Sequence, residues 1–178
     1  MPTLIHLNGP SGIGKSTVAQ LYADRHPGVL NLDTDRVVGL IGGWRQNFWQ
    51  TLGPARALAI GMAETHLRGG NDVVMPQLVA KLSEIDRFEA AAAAAGADYR
   101  ELVLLTDYDD LHARWSARPP NPVDEIMAEH GGVSLLNKIY GDLTSFVRDR
   151  PAATVIETRG QSVEETYQAV VSALCPLA

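Results

Sequence analysis

Eight consecutive residues, Gly9-Pro10-Ser11-Gly12-Ile13-Gly14-Lys15-Ser16, fit the spacing G-x-x-x-x-G-K-[ST]. Glycines in such a loop let the backbone wrap a phosphate without Cβ clashes, and successive N–H groups then face the anion. Lys15 would reach the β- and γ-phosphates of ATP, and the Ser16 hydroxyl would bind Mg²⁺. Thr17, which opens the next helix, belongs to the same set. A glycine-rich strand–helix turn that binds nothing is the alternative, but the full motif between a strand and a helix favours the phosphate reading.

Five further groups could complete a reaction. Asp33 and Asp35 flank Thr34 after an apolar run. Alternating spacing would turn both carboxylates to one side, one holding a water on Mg²⁺ and the other accepting a hydroxyl proton. The competing reading is an Asx-type cap, with Asp35 capping a helix over Val37 to Ile41. Arg114 and Arg118 stand four apart on a helix that ends before Pro119-Pro120-Asn121-Pro122. They suit a lid over roughly residues 112–132 that excludes water and stabilises a transferring phosphoryl group, or else a solvated helix face. The segment Gly42 to Trp49 gathers Trp44, Arg45 and Trp49. It could wall an acceptor pocket, or pack on the core. Gln77 could orient a water or substrate hydroxyl, or simply start a helix. Gly160 and Gln161, after the last strand, could surround adenine, or form an ordinary loop.

The elements that must carry these residues alternate. Strands are expected at Leu4, Ile5 and Leu7, at Gly28 to Leu32, at Asp72 to Met75, at Leu102 to Leu105 and at Thr154 to Ile156. Between them fall helices over Thr17 to Arg25, Pro54 to Leu67 with Leu58 and Met62 on its apolar face, Leu78 to Ala95, Leu111 to Ala117, and Leu136 to Val147. Ser162 and Glu165 form a capping box for a last helix whose apolar face is Val163, Tyr167, Val170 and Leu174. This order predicts an α/β fold with a parallel sheet covered on both faces, and ligands beyond the carboxyl ends of the strands.

Composition narrows the field. The 178 residues suit one domain, 1–178. Fifteen Lys and Arg against 21 Asp and Glu give a net charge of −6, which argues against a general nucleic-acid partner. One cysteine, Cys175, excludes an internal disulfide and a multi-Cys zinc site, and reads as a small C-terminal hydrophobe. The five histidines lack ligand spacing, and His6 reads as a satisfied group beside the sheet. No apolar stretch is long enough for a bilayer, and no basic region precedes the first strand, so a cytoplasmic protein is expected.

Taken together, the Gly9–Ser16 loop, the Asp33/Asp35 pair, the Arg114/Arg118 lid and the final strand–loop–helix resemble the small P-loop kinases of the nucleotide, shikimate and gluconate kinase type, including the chloramphenicol phosphotransferase-like proteins. The resemblance implies a P-loop NTPase three-layer sandwich with a five-stranded parallel sheet of order 2-3-1-4-5 and a helical lid. It implies a transferase that uses ATP and Mg²⁺ to phosphorylate a hydroxyl of a small acceptor, such as an antibiotic or other secondary metabolite, or a sugar. Asp35 is then the base, Asp33 the outer-shell metal partner, and Lys15, Arg114 and Arg118 the phosphate-side cations. The stretch Val73-Val74-Met75-Pro76-Gln77 lacks the acid that ends the third strand in many NTPases, which leaves the acceptor open. A nucleoside or nucleotide kinase, and an ATP-binding switch or toxin-like module without an acceptor, are the rival readings.

Overall fold

The computed structural model describes residues 1–119 and 122–175. Pro120 and Asn121 of the expected proline turn lie outside the described residues. The chain runs β1 (Thr3–Asn8), α1 (Lys15–Arg25), β2 (Leu30–Asn31), α2 (Thr34–Gly39), α3 (Phe48–Arg68), β3 (Val73–Pro76), α4 (Leu82–Ala94), β4 (Asp98–Leu105), α5 (Tyr108–Ala117), α6 (Pro122–Glu129), α7 (Val133–Arg148), β5 (Thr154–Glu157) and α8 (Val163–Leu174). All five strands pair in parallel in the order β2-β3-β1-β4-β5. The P-loop kinase fold and its strand order are as expected.

Side-chain alternation builds the three layers. Leu4, Val73 and Met75 point to the face covered by α2, α3 and α4, where Val38, Ala59 and Phe88 meet them. Ile5, Leu7, Val74, Leu102 and Leu104 point the other way, onto Val18 of α1 and Tyr167 and Val170 of α8. A strand with apolar residues on both faces needs both covered, which is why β1 sits in the middle of the sheet. Each buried Leu or Ile contributes about 1.5–3 kcal/mol relative to exposure.

Several expected elements shift. α3 begins at Phe48, so Pro54 lies inside it. Burial of Phe48 and Thr51 offsets the lost backbone hydrogen bond there. Leu58 and Met62 are not its core face, because Ala55, Ala59 and Ala63 are, and these small residues let the helix lie close on the sheet. Leu78 precedes α4. β2 pairs over two residues only, whereas β4 extends back to Asp98 against β1. Val163 is exposed, and the buried face of α8 is Thr166, Tyr167 and Val170. Its capping box forms as expected, but Cys175 is exposed. Among the described residues no helix is long and apolar enough to cross a membrane.

Candidate active site

At the carboxyl end of β1 the chain enters the Gly9–Ser16 loop. Gly9, Gly12 and Gly14 hold φ values of 148°, 89° and 105°, a region L side chains rarely adopt. A Cβ on Gly9 would lie 2.7 Å from the Leu104 carbonyl oxygen, and one on Gly12 would lie 3.1 Å from Trp115 Cβ. The loop is thus clamped between β4 and α5. Helix α1 follows with no side-chain cap and no acid in its first turn, so its leading N–H groups remain open to an anion. Lys15 folds over the loop, its Nζ donating to the carbonyls of Gly9 (2.8 Å) and Pro10 (2.9 Å). Burial lowers its pKa to about 8, against the opposing pull of Asp35 and Asp33, so both carboxylates face it.

That convergence does not come from strand alternation. Asp33 and Asp35 lie beyond β2 at the start of α2. Asp33, not Asp35, is the helix cap: its Oδ1 accepts the Asp35 backbone N–H at 3.0 Å. Asp35 opens into the cleft. Protein walls desolvate it and Asp33 repels its charge, and together they push its carboxyl above the usual carboxylate range although Lys15 pulls it down.

A cleft of about 460 Å³ spreads from this point. Ser11, Gly12, Gly14, Lys15, Ser16 and Thr17 form one side. Arg114 and Arg118 border it from α5. Arg114 is fixed by Asp110 (2.7 Å) and by the Thr158 carbonyl (2.6 Å). Arg118 follows the last residue of α5 and pairs with the buried Asp124 of α6. A second opening, about 320 Å³, lies between the loop, Arg114 and the start of α8. Gln161 borders it, directly after Gly160 turns the backbone at φ 66°.

Trp49 and Gln77 line the main cleft. Trp44 and Arg45 do not. Trp44 is half-buried against the core, and the Arg45 guanidinium stacks 5.2 Å from its ring centroid.

The chain matches the family described as AAA domain over residues 4–130. It belongs to that AAA-domain family. No curated protein gives a significant sequence match. Among solved structures, the tunicamycin resistance protein of Deinococcus radiodurans is 16% identical, with TM-score 0.65, covering 100% of this chain and 98% of that one. A gluconokinase from Sinorhizobium meliloti 1021 is 18% identical, with TM-score 0.68, covering 97% and 91%. The APS kinase of Mycobacterium tuberculosis in complex with AMPPNP and APS is 21% identical, with TM-score 0.59, covering 97% of each chain. At these identities the likeness is one of fold.

Within this AAA-domain chain, the opposite side of the cleft holds residues that sequence reading passes over. Arg56 lines it with Leu52 and Trp49. These are i, i+3 and i+7 on α3, so the spacing was a usable signal. Val123 and Asp124 of α6, and Leu135 and Ile139 of α7, arrive from far along the chain. A buried polar seam joins this side to the phosphate loop. Asn8 Oδ1 accepts from Gly9 N (2.8 Å) and Val79 N (3.0 Å), and its amide donates to the Val79 carbonyl (2.7 Å). His6 Nε2 donates to the Gln77 carbonyl (2.7 Å), leaving Nδ1 to accept from the Tyr99 hydroxyl (2.9 Å). Burial lowers the pKa of His6 to about 4, so it stays neutral in its expected structural place.

The chemistry of the donor set suits Mg²⁺ with a nucleotide. Magnesium takes one or two protein oxygens, keeps waters and shares phosphate oxygens. Ser16 lines the cleft, whereas Asp33 is buried at the start of α2 with one oxygen taken by the Asp35 N–H and does not line it, and no cluster of three metal-binding side chains occurs among the described residues.

Proposed function

We propose that this chain is a kinase that transfers the γ-phosphate of ATP to a hydroxyl of a small acceptor in the presence of Mg²⁺. The observation that carries the reading is Asp35, a carboxylate with a raised pKa that opens into the cleft and faces Lys15 of the phosphate loop. A basic carboxylate beside a triphosphate site is what hydroxyl attack requires.

The loop N–H groups and Lys15 would hold the β- and γ-phosphates, and Gln161 and Arg114 would border the base. Ser16 would ligate Mg²⁺, with Asp33 acting through water, and the ion would neutralise charge between the β- and γ-phosphates. The acceptor oxygen forms a bond to the γ-phosphorus, the bond from that phosphorus to the β-bridging oxygen breaks, and ADP leaves. Asp35 takes the hydroxyl proton. Arg118 would exchange Asp124 for the transferring phosphoryl oxygens, and residues 112–132 would act as the lid that keeps water out. The net charge of −6 suits a small acceptor better than a nucleic acid. Neighbours of the same fold are named for gluconate, for tunicamycin and for APS, so the fold leaves the acceptor open.

Asp35→Asn tests the assignment, once a screen of alcohols, sugars, nucleosides and antibiotics for acceptor-dependent ADP release has found a substrate. The variant should melt and bind ATP·Mg²⁺ like the wild type but lose transfer by ~10²–10⁴-fold. Turnover that survives the change would take Asp35 out of the base role, and a screen that finds no acceptor would leave a nucleotide-binding switch as the better reading.

A further inference from the structure

We infer that the acceptor is an alcohol with a mainly apolar body and, away from its hydroxyl, one group that accepts hydrogen bonds from a guanidinium; it is not a polyhydroxylated sugar or sugar acid. The inference rests on the kinase reading of the same cleft and names its substrate class. Beyond Asp35 the walls are Phe48, Trp49 and Leu52 of α3, Leu78 of the β3–α4 loop, and Leu135 and Ile139 of α7. The polar side chains on that side are few. Asp35 is committed to the reacting hydroxyl, and Arg118 and Asp124 pair with each other. Arg56 and Gln77 remain. A sugar acid would bring several hydroxyls into a wall with partners for only one or two, and unpaired hydroxyls are costly to bury.

Arg56 selects the second group. It is a largely buried cation on an apolar helix face, and it makes no hydrogen bond among the described residues. Its nearest carboxylate, Glu84, is 3.8 Å away and is held more closely by Arg87, at 3.1 Å. Arg56 also borders a second chamber of about 230 Å³, reached past Leu78 and Ile139, with Lys81, Glu84 and Asp142 on its far walls. Arg56, Leu78 and Ile139 therefore form a waist between two chambers. From Trp49 to Arg56 is seven residues of helix, about 10 Å of apolar wall. Asp35 and Arg56 border the same cleft, near enough for the carboxylate to act on the guanidinium, so an acceptor seated against this wall meets both.

The test is binding of three probes to the AMPPNP·Mg²⁺-loaded protein, followed by NMR or calorimetry: 4-(hydroxymethyl)cinnamate, its neutral amide, and gluconate. The cinnamate should bind about tenfold or more tightly than gluconate, because both carry a carboxylate and only gluconate brings several hydroxyls against an apolar wall. Arg56→Gln should weaken cinnamate binding about tenfold, the effect of one well-placed hydrogen-bonded charge, and Glu84→Gln, which frees Arg56 from its competing carboxylate, should tighten it. The opposite signs keep the test decisive if one variant fails to fold. An amide that binds as tightly as the carboxylate, and loses affinity equally in Arg56→Gln, assigns a neutral acceptor group and supports the class. Gluconate binding as well as the cinnamate, no binding by either aryl probe, or indifference of a folded Arg56→Gln variant would overturn it. Transfer from ATP is scored separately. Tight aryl binding without phosphorylation sinks the kinase reading alone, and phosphorylation of gluconate sinks only this inference.

Discussion

The phosphate loop is eight consecutive residues that work through backbone N–H groups and one lysine, whereas the facing wall is assembled from side chains of α3, the β3–α4 loop, α6 and α7. The loop is rigid by exclusion, because Gly9 and Gly12 leave no room for a Cβ against Leu104 and Trp115. The wall is apolar surface around a few charges. Chemistry common to every nucleotide can be encoded in a short backbone path, while selection of one acceptor needs surfaces from several elements.

The largest expected effect breaks the loop side alone. Lys15→Ala should cost about 10³-fold or more in transfer and weaken ATP binding, because no other cation lies within the loop. The lysine also sets a pH limit. Its pKa in the free protein is about 8, so the ammonium is present below that value and is lost as pH rises through it. ATP affinity measured from pH 6.5 to 9.5 should hold at the low end and fall above about 8. A flat profile would mean that Lys15 does not meet the phosphates.

A middle-sized effect probes the seam that joins the sides. His6 is fully buried, with a folded pKa near 4 against 6.5 in the unfolded chain. The unfolded state therefore binds more protons between those values, and stability falls as pH drops from 6.5 toward 4, by up to about 3 kcal/mol. Urea unfolding at pH 7 and pH 4.5 measures it, and His6→Gln should flatten the slope. Because His6 and Asn8 tie residues 77–79 to the loop, hydrogen-exchange protection of residues 9–12 and 77–79 should fall together. Loss on one side only would show that the two sides open independently.

The smallest effect belongs to the wall. Leu52→Ala should raise the acceptor KM about tenfold and leave the ATP KM unchanged, since a few methylenes in an apolar pocket are worth little more. A matching rise in the ATP KM would merge the two sides into one site.

The same contrast explains what was legible in the sequence. The phosphate loop could be read because its spacing is local, and the parallel sheet because helices and strands alternate, whereas the strand order came from the family resemblance. The Ser162–Glu165 box was readable because its spacing is local too. Arg56 and Asp124 could not be placed, since their role depends on which helices converge. The Asp33/Asp35 pair was found for an incomplete reason: a cap at Asp33 starts α2 three residues earlier than expected and turns Asp35 into the cleft from a helix. Leu58 and Met62 misled because size outweighed fit, and the alanine face was the one that could approach the sheet. Trp44 and Arg45 drew attention as a polar–aromatic cluster, but their stacking is internal.

The three tryptophans are distributed unequally over these parts. Trp115 packs on Gly12 with its indole N–H buried and without a partner among the described residues, Trp49 stands half-exposed on the wall, and Trp44 lies half-buried against the core. Each side of the cleft thus carries its own fluorophore. With single-tryptophan versions, the arrival of nucleotide and of acceptor becomes two separate optical signals in a stopped-flow trace, and the order in which the substrates bind can be timed without a label.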